Sequence, residues 1–157
     1  MYNKNAMTNL LISEEKNVTQ IKHKPIDKTC AAALIETLTE LGVNSVFGYP
    51  GASVLSIYNE LSKVNSINHY LARHEQAAVH TAEGYARITN KPAFVIVTSG
   101  PGFTNTITGI ANAYADSTPL VILAGDVPNN DNKGKIFQKV DIISLTKSCS
   151  KKNYMVT

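Results

Sequence analysis

Three segments of the chain collect residue types suited to chemistry: Gly48-Tyr49-Pro50-Gly51, Arg73-His74-Glu75-Gln76 and Thr98-Ser99-Gly100-Pro101-Gly102. Glu75 is the carboxylate among them, and it heads an alanine-rich stretch. A carboxylate at a helix start is stabilised by the helix dipole, and capping is its simplest role. Ala78, Ala82 and Ala86 on the same helix imply apolar surroundings. A carboxyl group buried in such surroundings resists ionising and can hold or share a proton near neutral pH. The two effects oppose each other, and the sequence leaves both open.

The turn after Val97 is rich in glycine and opens a helix, a geometry that can cradle an anion on backbone N–H groups. It has neither the Lys-Ser/Thr ending of a P-loop nor the G-x-G-x-x-G spacing of a dinucleotide site. A tight strand-to-helix turn, with Pro101 pre-set for the first helical turn, is the simpler reading. His74 and His80 lack partners at metal-ligand spacing, and Cys30 and Cys149 form no C-x-x-C pair, so no metal site is expected. Both cysteines read as small buried or half-buried thiols in a reducing compartment. Phe137-Gln138 reads as pocket lining or as ordinary surface.

The elements that must position these residues follow from periodicity. Residues 1–24 are polar and aperiodic and read as a disordered tail, leaving 25–157 as one domain. Pro25 and Asp27 open a helix whose apolar stripe is Cys30, Ala33, Leu34, Leu38 and Leu41, with Gly42 beyond its end. Val46-Phe47 reads as a strand, Val54 to Leu61 as a helix, Ile67 to Tyr70 as a strand and His74 to Thr89 as a helix. Glu83 and Arg87 stand i,i+4 on that helix, as in a surface ion pair. Ala93 to Val97 and Leu120 to Ala124 are continuously apolar, as expected of parallel strands covered on both faces. Phe103 to Tyr114 reads as one helix between them, the segment around Asn129, Asn130 and Asp131 as a loop, and Ile142 to Thr146 as a short helix. Strands alternating with helices predict an α/β fold, a doubly wound parallel sheet with helices on both faces. Ligands of such sheets bind beyond the carboxyl ends of the strands, where all three segments fall.

The chain has 157 residues and a net charge of +3. Its basic residues are scattered apart from Lys147, Lys151 and Lys152, which argues against a nucleic-acid surface. No apolar run is long enough to cross a bilayer. The N-terminus carries Glu14 and Glu15 and lacks an apolar core segment, which argues against a secretory signal. A cytoplasmic location is expected, with organelle import left open.

Read in order, these segments resemble the large subunits of acetolactate synthase. The matching stretches are Phe47-Gly48-Tyr49-Pro50-Gly51, Arg73-His74-Glu75-Gln76, Ala82-Glu83-Gly84-Tyr85-Ala86-Arg87, Thr98-Ser99-Gly100-Pro101-Gly102, Thr104-Asn105, Pro119-Leu120-Val121, Phe137-Gln138 and Val140-Asp141-Ile142. The resemblance implies the pyrimidine-binding domain of a thiamine-diphosphate enzyme. It implies that Glu75 hydrogen-bonds N1′ of the aminopyrimidine, favouring the imino tautomer whose 4′-nitrogen takes the proton from C2 of the thiazolium. Tyr49, Pro50, Gly51, Pro101 and Asn105 would shape the pyrimidine pocket, and Phe137 and Gln138 would approach the substrate. The implied reaction joins pyruvate to a second 2-oxo acid, pyruvate or 2-oxobutyrate, in branched-chain amino acid biosynthesis. Magnesium and FAD belong to the family but are held mainly by domains outside this sequence. The implied partners are a second copy or a complementing diphosphate-domain chain, and a regulatory small subunit.

Ala52 stands where the family usually has a second glycine, which matters if the loop needs a positive φ there. Lys139 replaces the acidic residue usual after Phe-Gln. The sequence also stops at Thr157, so the last helix and strand of the domain are expected to be missing, and the chain alone is expected to be inactive. Two other readings compete: the pyrimidine-domain subunit of a split 2-oxo acid decarboxylase, and a non-catalytic remnant that associates with a homologue.

Overall fold

The computed structural model describes residues 28–127 and 136–156. The expected N-terminal tail, the helix opening at Pro25 and Asp27, and the loop at Asn129, Asn130 and Asp131 lie outside the described residues.

The first helix, α1, runs Cys30–Glu40. The Thr29 hydroxyl caps it by accepting from the Ala32 N–H at 3.1 Å. Its buried face is Ala31, Ile35 and Leu38, with Leu34 packed beside it; of the expected stripe Leu38 is buried, while Cys30 is exposed and Leu41 is 70% exposed. The Cys30 thiol is therefore not buried, while Cys149 is half-buried. Strand β1 is Ser45–Tyr49, longer than the expected dipeptide. A short 3-10 turn, Ala52–Val54, leads into α2, Leu55–Leu61. Then come β2, Asn68–Leu71, helix α3, Glu75–Thr89, and β3, Ala93–Val97.

The expected helix from Phe103 to Tyr114 is two helices, α4 (Pro101–Thr104) and α5 (Ile107–Ala115). The break falls at Thr106, whose N–H bonds the carbonyl three residues back instead of four. This residue is fully buried, and its hydroxyl donates to the Phe103 carbonyl at 2.6 Å, the same carbonyl that accepts the Thr106 N–H at 2.9 Å. A hydroxyl that bonds the preceding turn competes with the helical ladder. Strand β4, Leu120–Ala124, and helix α6, Ile142–Thr146, complete the described elements.

The four strands are parallel in the order β2-β1-β3-β4. Phe47 stands opposite Val95, and Val95 opposite Ile122, so these side chains share one face. That face packs on Ala78, Ala82 and Ala86 of α3 and on Ile110 of α5. Val46, Ile96 and Leu123 project to the other face and meet Ile35 and Leu38 of α1 and Leu61 of α2. Helices thus cover both faces, as the continuously apolar strands require. The alanines let α3 lie close to the sheet, and they belong to the core.

Candidate functional site

The order β2-β1-β3 places the topological switch between β1 and β3, where chain connections leave in opposite directions and open a crevice. The carboxyl end of β1 delivers Tyr49, Pro50 and Gly51 to this crevice, and the end of β3 delivers Thr98 to Gly102. Helix α3 starts beside them with Glu75.

Capping of α3 falls to His74, whose Nδ1 accepts from the Gln76 N–H at 3.2 Å. Glu75 is left to other work. It is buried, and its Oε2 accepts from Asn105 Nδ2 at 2.9 Å. The break between α4 and α5 is what frees Asn105 for this contact, since it falls at the C-cap of α4. Among the described residues, Oε1 of Glu75 takes no hydrogen bond.

Thr98 forms the floor. Its side chain is wedged between two glycines: a Cβ on Gly51 would lie 2.5 Å from Thr98 Cβ, and a Cβ on Gly102 would lie 2.5 Å from Thr98 Cγ2. The Gly102 Cβ would also lie 3.4 Å from Glu75 Oε1, so the glycine stands directly beside that oxygen. Ser53 ties the loops together. Its hydroxyl pairs with Thr98 Oγ1 at 2.9 Å and accepts from the Ser99 N–H at 3.0 Å. Gly100 has φ +60°, a conformation that glycine adopts without penalty.

Of the residues singled out in the sequence, Gly51, Glu75, Pro101 and Asn105 gather around Thr98 and Gly102, with Tyr49 exposed and Pro50 half-buried at the rim. Gln138 comes to the Gly100 turn, where a Cβ on Gly100 would lie 2.7 Å from Gln138 Cβ. Phe137 is 83% exposed and is not drawn into the cluster. Ala52 begins the 3-10 turn and is not among the positive-φ residues, so that position needs no glycine. The sequence did not single out Ser53, and it marked Thr98 only as part of the glycine-rich turn. The spacing Gly51…Gly102 carried a signal for close approach, but nothing local marked what approaches.

Glu83 and Arg87 form the expected i,i+4 ion pair, with Arg87 exposed but the Glu83 carboxylate buried. Glu83 is buried between α3 and α5, where Oε1 accepts from Arg87 Nη2 at 2.5 Å and from Asn112 Nδ2 at 2.7 Å. His80 Nδ1 lies 3.4 Å from its Oε2. Desolvation pulls this carboxyl upward, but the hydrogen bonds from Arg87, Asn112 and His80 outweigh it and hold it below the usual carboxylate range.

The fold is of the doubly wound α/β class, whose ligands bind beyond the carboxyl ends of the strands, and the buried, amide-held Glu75 carboxyl lies at that switch point. The sequence model of the thiamine pyrophosphate enzyme, N-terminal TPP binding domain, matches residues 28–145. The chain belongs to this family. It is similar to the acetolactate synthase large subunit of Haemophilus influenzae, 48% identical over 126 residues, which is 80% of this chain and 22% of the relative. The acetolactate synthase isozyme 3 large subunit of Escherichia coli is likewise 48% identical over 80% of this chain and 22% of its own length. The chloroplastic acetolactate synthase of Arabidopsis thaliana is 45% identical over 80% of this chain and 19% of its own length. The chain thus spans about a fifth of the length of the relatives it matches. No described helix is long and apolar enough to cross a membrane.

Proposed function

We propose that this chain supplies the pyrimidine-binding half of an acetolactate synthase-type active site. The observation that carries the reading is Glu75: a buried carboxyl group at the β1/β3 switch, with Oε2 held by Asn105 and Oε1 beside Gly102 without a hydrogen-bond partner among the described residues. That arrangement fits an aminopyrimidine ring, which needs one fixed carboxyl oxygen at N1′ and a glycine-lined approach for its flat face. When bound, thiamine diphosphate supplies a thiazolium carbon that, once deprotonated, adds to 2-oxo acids.

The chain's residues do the positioning. Asn105 fixes the Glu75 rotamer, and Glu75 Oε1 holds the proton shared with N1′. Tyr49, Pro50, Gly51 and Pro101 would border the pyrimidine, together with Thr98. Gln138, at the Gly100 turn, would approach the substrate, and Phe137 and Lys139 on either side of it are exposed and free to do so only from the rim. The substrates on this reading are pyruvate and a second 2-oxo acid, pyruvate or 2-oxobutyrate. Magnesium, the diphosphate and FAD would be held by a diphosphate-domain partner or by a second copy of a longer chain, and a regulatory small subunit would be a further partner.

The test is acetolactate formation from pyruvate with thiamine diphosphate and magnesium, for the chain alone and mixed with a diphosphate-domain chain. Activity is expected only in the mixture, and Glu75→Gln is expected to lower it by about 10²–10⁴-fold, the range of positioned proton transfer. A mixture in which Glu75→Gln keeps full activity would overturn the reading.

A further inference from the structure

Helices α3 and α5 lie side by side, and they touch at four levels. Glu75 meets Asn105 just ahead of α5. Gly109 approaches Val79 so closely that a Cβ there would lie 2.5 Å from Val79 Cγ1. Glu83 accepts from Asn112 at 2.7 Å. Arg87 donates to Asp116, the residue that caps α5, as well as to Glu83. The positions on α3 are 75, 79, 83 and 87. Those on the other side are 105, 109, 112 and 116. Steps of four and three keep to one helix face, so the contacts stack as rungs along a single seam.

The seam sets a register. Sliding α5 by one residue would turn its face by about 100° and remove every rung together. Such a guide has a use at its upper end. Asn105 caps α4 and stands two residues ahead of α5, so its position depends on how α5 is held as well as on α4. Asn112 is held firmly, because moving it would leave the buried Glu83 short of a donor. The Glu83–Asn112 rung lies about 12 Å from Glu75 along α3, beyond direct contact.

We infer that Glu83 and Asn112 are positioning residues for Glu75: the rungs below it keep α5 in register and so hold the Asn105 amide on the Glu75 carboxyl. This rests on the reading of Glu75 as the proton-handling group. It accounts for a buried, triply partnered carboxylate well away from the crevice.

The test uses the chain itself, without any cofactor. The reporter is the side-chain amide of Asn105, followed by NMR for chemical shift and solvent exchange. Asn112→Ala removes one rung and leaves Glu83 paired with Arg87. Asp116→Ala removes an exposed rung and serves if the first variant folds poorly. Both are expected to move the Asn105 amide resonances and speed their exchange by about fivefold or more. Ile35→Val, a core truncation on the opposite face of the sheet, is the control and should leave the Asn105 amide unchanged. An Asn105 signal unaltered in both seam variants, or altered equally by Ile35→Val, overturns the inference. Because the readout needs no turnover, that failure is distinct from failure of the activity reading, which Glu75→Gln tests by itself.

Discussion

Gly102 has no side chain between Thr98 and Glu75, and alanine in its place would put a Cβ 2.5 Å from Thr98 Cγ2. Carbon atoms pack at about 3.5–4.0 Å, so the new atom intrudes by about 1 Å or more. Overpacking of that size costs about 1–3 kcal/mol. Losing a glycine from the unfolded chain returns about 0.4–1 kcal/mol. Gly102→Ala is therefore expected to destabilise the chain by about 1–2 kcal/mol. The clash can be removed on its own. Thr98→Ser deletes Cγ2 and keeps the hydroxyl that pairs with Ser53. The nearest remaining neighbours would be Glu75 Oε1 at 3.4 Å and Thr98 Cβ at 3.5 Å, both tolerable. In the Thr98→Ser background, Gly102→Ala should then cost close to nothing, a coupling of about 1–2 kcal/mol. Gly51→Ala is the internal control. Its Cβ would meet Thr98 Cβ at 2.5 Å and Oγ1 at 2.7 Å, atoms that a serine keeps, so Thr98→Ser should not rescue it. Urea unfolding of the six resulting chains, followed by circular dichroism, gives each stability. Equal costs for Gly102→Ala in both backgrounds, or rescue of Gly51→Ala, would refute the wedge geometry.

His69 on β2 lies edge-on to Tyr58, with ring centroids 4.9 Å apart, and its Nε2 is buried with no partner among the described residues. Burial lowers its pKa below the ordinary 6.5, with the Gly48 backbone partly opposing. The unfolded chain then binds the proton more readily, so stability should be full above about pH 6.5 and decline as pH falls toward the folded value. Urea midpoints between pH 7 and pH 5 should show that slope in the native chain and lose it in His69→Phe; an unchanged slope would assign it elsewhere. Gln138 is held at φ +61°, a left-handed conformation that costs a side-chain-bearing residue about 1–2 kcal/mol. Gln138→Gly should raise stability by about 0.5–1 kcal/mol once the added freedom of the unfolded chain is counted, and a lower urea midpoint would contradict this.

Much of this was legible in the residues. The continuous apolar runs Ala93 to Val97 and Leu120 to Ala124 are strands with those bounds; β3 is the one covered on both faces, while β4 stands at the sheet edge with Val121 exposed. The alternation of strand and helix, together with the Arg73-His74-Glu75-Gln76 segment, located the parallel sheet and the carboxyl group at its edge. Family membership, too, rests on sequence, since the matching motifs are local strings.

Tertiary structure decided what those strings touch. The sequence left Glu75 between capping and buried chemistry; His74 takes the cap and Asn105 takes the carboxyl, a choice made by residues thirty positions apart. Glu83 and Arg87 have the spacing of an exposed pair. Only the docking of α5, with Asn112 and Asp116, buries the carboxylate of Glu83. Helical spacing cannot report the neighbour on the other side. The same holds for α1, where the neighbouring helix and sheet, not the most apolar stripe, choose Ala31, Ile35 and Leu38 as the inward face. The break at Asn105 and Thr106, where the ladder switches to a bond three residues back, is likewise not marked by the local apolar pattern. Local periodicity thus located the elements and the chemistry-bearing residues. The contacts that orient those residues join positions remote in sequence, and packing alone brings them together.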